Sequence, residues 1–190
     1  MSVNIIIDDV LEGLRRLPEG SVHCCVTSPP YWGLRDYGVD GQIGLEPTPE
    51  AHVARLVEVF REVRRVLRKD GTLWVNYGDC YATSVNGRSA HDLKLKGTDD
   101  RTFRDKPFST VVGGLKPKDL VGMPWRLAFA LQADGWWLRS DIVWAKPNPM
   151  PESITDRPTK AHEYVFLLAK SDRYYYAADA IKEPATFGEP

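Results

Sequence analysis

The stretch Val22-His-Cys-Cys-Val-Thr-Ser-Pro-Pro-Tyr-Trp32 decides how this chain of 190 residues is read. Val22 to Val26 is a short apolar run suited to a strand. Pro29 and Pro30 stop it: each fixes its own φ and neither carries a backbone N–H. A strand that ends in two prolines followed by Tyr31 and Trp32 makes a rigid corner. Carbonyls next to such prolines have no ladder to join and are left as acceptors.

Working outward, Val3 to Ile7 is a β-branched run expected to form a buried strand. Val10, Leu11, Leu14 and Leu17 follow at helical spacing until Pro18-Glu19-Gly20. Strand, helix and strand in so few residues indicate a βαβ unit. Thr48 reads as the N-cap of a long helix with Pro49 at its first position. Val53, Leu56, Val57, Phe60, Val63 and Leu67 share one face of that helix. Arg68 and Lys69 are expected in its last turn, with Gly71 as the stop. Thr72 to Tyr77 is the next strand. Residues from about 84 to 119 lack periodicity, which in a compact domain marks a functional or mobile loop. Pro124 opens a helix through Trp125, Leu127, Ala128 and Leu131 to Gly135. Trp136 to Ala145 and His162 to Lys170 are strands around a proline-rich loop, Lys146 to Pro158. Ser171-Asp172-Arg173 then turns the chain into Tyr174-Tyr175-Tyr176. The expected fold is one α/β domain over residues 1–190, a mostly parallel sheet completed by a terminal antiparallel strand.

The composition suits such a domain: 43% hydrophobic residues and 11% aromatics exclude a disordered tract. A net charge of −1 provides no overall field for a polyanion, so a nucleic-acid partner needs a local basic patch. Arg88, Lys94, Lys96, Arg101, Arg104, Lys106, Lys116 and Lys118 are the candidates for phosphate contacts; the plain alternative is a solvated variable loop. Cys24, Cys25 and Cys80 have no paired or metal-ligand spacing, so no metal is expected and a reducing compartment is. With no signal peptide and no membrane-length run, the expectation is a cytoplasmic protein.

The chemistry sits at Ser28, Pro29, Pro30 and Tyr31. An amino group on a nucleobase is a poor nucleophile because its lone pair is delocalised into the ring. A serine hydroxyl and a fixed carbonyl accepting its N–H hydrogens would draw that nitrogen towards tetrahedral geometry and free the lone pair for in-line attack on a methyl sulfonium. Tyr31 would stack on a base taken out of its helix. The plain alternative is a proline pair that only ends a strand, with aromatics packed beneath it.

Thr27-Ser-Pro-Pro-Tyr-Trp-Gly-Leu-Arg-Asp-Tyr-Gly38 resembles the catalytic motif of the β-group DNA amino-methyltransferases of bacteria and phages. Lys116-Pro-Lys-Asp-Leu-Val-Gly-Met-Pro-Trp-Arg126 is similar to the same family. So are Leu138-Arg-Ser-Asp-Ile-Val-Trp-Ala-Lys-Pro-Asn-Pro-Met-Pro-Glu152 and Arg157-Pro-Thr-Lys-Ala-His-Glu-Tyr-Val-Phe166. This collinear likeness implies a Rossmann-like methyltransferase sheet, S-adenosylmethionine as donor and double-stranded DNA as substrate. It implies that Asp9 and Val10 touch the donor's adenosine, where the family has Gly-Asp and this chain has Asp8-Asp9. The alternative reading of Asp9 is a plain helix cap. Trp32, Trp144, Lys146 and Asn148 would border the target base or the DNA, with Trp144 as a core strand aromatic for alternative. Serine at position 28 resembles the cytosine-N4 enzymes; adenine N6 remains open. Cytosine-C5 chemistry needs a cysteine after a proline, which neither Cys24, Cys25 nor Cys80 satisfies.

The family also carries a glycine-rich turn, Asp-Pro-Phe-x-Gly-x-Gly, against the donor's methionine part, and this chain has none. By the resemblance, two strands and half the donor pocket are missing. A fragment, a split protein whose second polypeptide or C-terminal half completes the site, and a decayed relative that only binds DNA all fit. A sheet cut there is expected to expose backbone and apolar faces. An RNA or protein methyltransferase is the weaker alternative.

Overall fold

The computed structural model describes residues 3–83 and 108–183. Asp9 starts the first helix, α1 (Val10–Arg15): its Oδ1 accepts from the backbone N–H of Leu11 at 2.9 Å and of Glu12 at 3.4 Å. β1 (Val22–Thr27) runs into the diproline corner. α2 (Pro49–Val66) begins as its sequence indicates, with Thr48 Oγ1 accepting from Ala51 N at 3.1 Å and Pro49 in the first turn. Its apolar face buries Val53, Leu56, Val59, Phe60, Val63 and Val66. Arg65 on α2 reaches back to the carbonyls of Leu14 and Leu17 at 2.9 and 3.1 Å, tying the end of α1 to α2.

β2 (Leu67–Tyr77) starts earlier than expected. Leu67 is already extended, so Arg68 and Lys69 belong to the strand and not to the last turn of α2, where Arg64 and Arg65 stand instead. The reason is a bulge against β1: Val22 pairs with Leu67 but Cys24 with Thr72. Gly71 lies inside that bulge, where a Cβ would be 3.0 Å from the Arg68 carbonyl oxygen and 3.1 Å from that of His23. Close backbone approach, and not a helix stop, is what requires glycine there.

α3 (Met123–Ala133) buries Leu127, Ala128 and Leu131, and Gly135 with φ 97° ends its turn. Its first amides are tied to the end of β2, because Asp79 Oδ1 accepts from Gly122 N and Met123 N, both at 3.0 Å. β3 (Trp137–Ala145) and β4 (His162–Ala169) complete the sheet in the order β1-β2-β4-β3. β1 and β2 are parallel, while β4 is antiparallel to both β2 and β3. Three strands therefore point the same way, and β4, last in sequence, alone runs against them. It does so from inside the sheet. The core forms where α2 and α3 meet Leu73, Val75, Tyr77, Phe166 and Leu168.

One expected strand is absent among the described residues. Val3 to Ile7 is irregular, with Val3 85% and Ile7 93% exposed. A β-branched run becomes a strand only when a neighbour takes its N–H and C=O groups, and β1 pairs with β2 alone. Tyr174 to Tyr176 is likewise irregular, with Tyr175 N donating to the Asp70 carbonyl at 3.0 Å and Arg139 Nε to the Tyr174 hydroxyl at 3.2 Å, before a 3-10 turn at Ala178–Ile181. No helix among the described residues is long and apolar enough to cross a membrane.

Candidate active site

Because β1, β2 and β3 share a direction, their carboxyl ends lie along one edge, where β4 begins. Register fixes the neighbours: Thr27 is opposite Val75, Asn76 opposite Val165, Trp144 opposite Glu163 and Ala145 opposite His162. Ser28, Asn76, Lys146 and Glu163 come from four distant parts of the sequence and meet at this edge, which in open α/β sheets holds the ligand.

The corner's polar groups form one cluster. Ser28 Oγ lies 3.2 Å from the Tyr31 hydroxyl and 3.3 Å from Asn76 Oδ1. The Tyr31 hydroxyl lies 3.0 Å from Asn76 Oδ1 and 3.5 Å from Glu163 Oε2. Asn76 is oriented by its own Nδ2, which donates to the Tyr164 carbonyl at 3.2 Å. Glu163 pairs in turn with Lys146. Ser28 thus has partners for its hydrogen on the inner side, and its remaining lone pairs are free to accept. Burial raises the Tyr31 hydroxyl above its ordinary pKa, opposed by the Ser28 hydrogen bond and helped by the Glu163 charge, so it stays protonated at neutral pH. Burial pushes Glu163 up, but its hydrogen bond and charge pairing with Lys146, helped by Asn76 and Lys160, outweigh that and hold it below the usual carboxylate range.

Beneath the corner a second, buried set fixes the backbone. His52, fully buried on the apolar face of α2, bridges Glu46 Oε2 through Nδ1 and the Tyr77 hydroxyl through Nε2, both at 2.7 Å. Burial lowers the pKa of His52 despite Glu46, so the imidazole is neutral. We assign its one N–H to the Glu46 carboxylate, which leaves Nε2 to accept from Tyr77. The Tyr77 oxygen then accepts from Trp32 N at 3.2 Å and stands 3.4 Å from the Pro30 carbonyl. Trp32 is 2% exposed and donates its indole N–H to the Glu46 carbonyl at 2.8 Å, so it lies under the corner and not on its surface. The Tyr31 ring lies 4.7 Å from that of Tyr77 and closes over Gly78, where a Cβ would come within 2.6 Å of the ring.

The corner divides two cavities. One of about 470 Å³ is lined by Asp9, Val10, Leu14, Ile43 and Phe60. The other, of about 350 Å³, is lined by Tyr31, Leu34 and Arg35. Ser28, Pro29, Pro30, Tyr37 and Ile43 border both. Asp9 caps α1 with Oδ1 alone, so its other carboxylate oxygen is not spent on the cap. Trp144 is 60% exposed on β3, unlike a core aromatic, and Asn148 is exposed in the loop beyond it. Of the basic candidates, Lys116 pairs with Asp119 and Lys118 with Asp156, while Arg88 to Lys106 lie outside the described residues. Cys25 borders the larger cavity, but burial and the adjacent Cys24 push its thiol up to about 11.

Asn76, Glu163, His52, Tyr77 and Glu46 were not singled out from sequence. Asn76 is a polar residue interrupting the apolar run Leu73-Trp-Val-Asn-Tyr77, and His52 is a lone histidine on an apolar helix face. Both are signals, but neither names its partner.

The diproline corner stands between two cavities at the carboxyl edge of a Rossmann-like α/β sheet. Residues 22–187 match the DNA methylase family of the N6/N4 type, and the chain belongs to that family. It is 58% identical over 180 residues to the Type II methyltransferase M.Cfr9I of Citrobacter freundii, covering 95% of this chain and 58% of that protein. It is 53% identical over 185 residues to the Type II methyltransferase M.SmaI of Serratia marcescens, covering 97% of this chain and 62% of that one. The chain thus spans about three fifths of the length of these relatives. Among solved structures it is similar to the PvuII DNA methyltransferase (cytosine-N4-specific), with a TM-score of 0.59 at 19% identity, covering 88% of this chain and 49% of that one. TTHA0409 of Thermus thermophilus, solved with S-adenosyl-L-methionine, gives 0.57 at 22% identity over 95% of this chain and 55% of that one. At such identities these two likenesses concern the fold.

Proposed function

We propose that this chain carries the base-binding part of an enzyme that moves a methyl group from S-adenosylmethionine to the N4 amino group of cytosine in double-stranded DNA. The observation that carries the reading is the diproline corner, with free acceptors, set between two cavities.

The residues present fit the adenosine end of the donor. The 470 Å³ cavity is within the range of about 300–1,000 Å³ common for ligand pockets. Val10, Leu14, Ile43 and Phe60 offer apolar walls for an adenine, and the spare Asp9 oxygen can accept from it or from a ribose hydroxyl. When bound, the donor supplies an electrophilic methyl on a sulfonium. The smaller cavity then takes the extruded cytosine against Tyr31, with Trp144, Lys146 and Asn148 bordering the DNA beside it.

Ser28 Oγ accepts one N–H of the amino group. Among the described residues no donor meets the Pro29 carbonyl, which leaves it to accept the other. Two acceptors placed this way favour a pyramidal nitrogen and stabilise the charge that develops on it during attack. The His52–Tyr77–Trp32 set keeps the corner from relaxing when the base arrives.

Serine at position 28 favours cytosine over adenine by the family resemblance. Incubating unmethylated DNA and donor with the protein in its longest available form, then separating the nucleosides by mass spectrometry, tests the reading. 4-Methylcytosine is expected; 6-methyladenine would change the substrate, and absence of both would overturn the function.

A further inference from the structure

Methylation of an amino nitrogen is complete only when that nitrogen has lost a proton, so the site needs somewhere to send one. Ser28 and Tyr31 are hydroxyls that relay a proton but do not keep it, and Asn76 Oδ1 orients both without holding it either. Glu163 Oε2, 3.5 Å from the Tyr31 hydroxyl, belongs to the one carboxylate in contact with this pair among the described residues. Its side chain is 24% exposed, so it opens to solvent. The titratable groups facing it are Lys146 after β3, Lys160 before β4 and Tyr31 of the corner; β2 contributes the uncharged Asn76.

We propose that Glu163 takes the proton leaving the target amino nitrogen, delivered through the hydroxyls of Ser28 and Tyr31, an inference that rests on the function proposed above. As the nitrogen–carbon bond forms, the sulfur–carbon bond breaks and its electron pair stays on sulfur, which becomes a neutral thioether. The nitrogen's surplus proton passes to Ser28 Oγ, the Ser28 proton to the Tyr31 oxygen, and the Tyr31 proton to Glu163, which returns it to water. A nitrogen carrying a positive charge beside an aromatic ring is a far stronger acid than a carboxylic acid. A carboxylate held low by Lys146 is therefore basic enough to accept, and releases the proton readily.

The test uses the protein from its whole reading frame, unmethylated plasmid DNA and radiolabelled S-adenosylmethionine. E163Q keeps the size of the side chain and one acceptor oxygen but cannot accept a proton. Its kcat is expected to fall by on the order of 10²-fold, with DNA retention and thermal midpoint held near wild type. E163D is expected to recover part of the rate. K146M, which removes the pairing that holds Glu163 low, is expected to move the acid limb of the kcat–pH profile to higher pH. If Glu163 merely props Tyr31, E163Q keeps the wild-type rate and K146M leaves the acid limb in place; either result overturns the relay. Should E163Q fail to fold, E163D and K146M still decide. A wild-type protein that methylates nothing removes the function and the relay together, whereas active wild type with an equally active E163Q removes only the relay.

Discussion

Gly78→Ala tests the placement of Tyr31 with a single methyl group. The new Cβ would stand 2.6 Å from Tyr31 Cε2 and 3.3 Å from Cδ2 and Cζ. Carbon atoms rest at about 3.5–4.0 Å, so the ring must retreat by roughly 1 Å. Its hydroxyl is held at 3.0 Å by Asn76 and at 3.2 Å by Ser28, and a retreat of that size takes both contacts to or past the hydrogen-bond limit. Overpacking of this kind costs about 1–3 kcal/mol, offset by about 0.4–1 kcal/mol from removing a glycine from the unfolded chain. The net expectation is a loss of about 1–2 kcal/mol in thermal or urea unfolding. Methyl transfer should suffer far more, by about 10²-fold in kcat, because a misplacement of about 1 Å has that effect on a positioned group. Gly114→Ala is the control: nothing lies within 4 Å of its Cβ, so rate and stability should hold. A Gly78→Ala protein with wild-type kcat and wild-type midpoint would refute the reasoning.

Other measurements address separate parts of the molecule. His52 has a folded pKa depressed below its ordinary 6.5, so its neutral form contributes stability above that pH, and the contribution is lost as pH falls below 6.5 towards the folded value. Unfolding midpoints measured down the acid side should show this loss in wild type and a flatter dependence in His52→Gln, and identical slopes would remove the assignment. Cys25, raised to about 11, should resist alkylation at pH 8 while the exposed Cys24 reacts, and Cys25→Ala should still transfer methyl groups; peptide mapping checks the first and the radiolabel assay the second. Lys118 holds φ 75°, a conformation costing a non-glycine residue about 1–2 kcal/mol. Its surface pair with Asp156 is worth at most about 1 kcal/mol. Lys118→Gly should therefore raise the thermal midpoint or leave it unchanged, and a clear fall would contradict this.

The sequence by itself determined the local rules. Thr48 and Pro49 could only start a helix at Pro49, the diproline could only end β1, and the spacing of Val53, Leu56, Phe60 and Val63 could only bury one face of α2. These depend on backbone chemistry and short-range periodicity, which a linear string carries. The diproline corner was legible for the same reason, since Ser28 to Tyr31 are consecutive and their stiffness is intrinsic. Strand partners were not legible. The apolar run at Val3 to Ile7 has strand composition and no strand, because pairing depends on a neighbour that composition cannot supply. The bulge that moved the start of β2 back to Leu67 is likewise a property of two strands in register.

Only the tertiary structure decided which residues serve the corner. The parallel pairing of β1 with β2 brings Asn76 to Ser28, and β4, running backwards between β2 and β3, places Glu163 beside Tyr31 and next to Lys146. Tyr31 and Glu163 are 132 residues apart along the chain and one hydrogen bond apart in space. A sheet's edge gathers what its strand directions bring to it, and strand direction is settled by the packing of the whole domain.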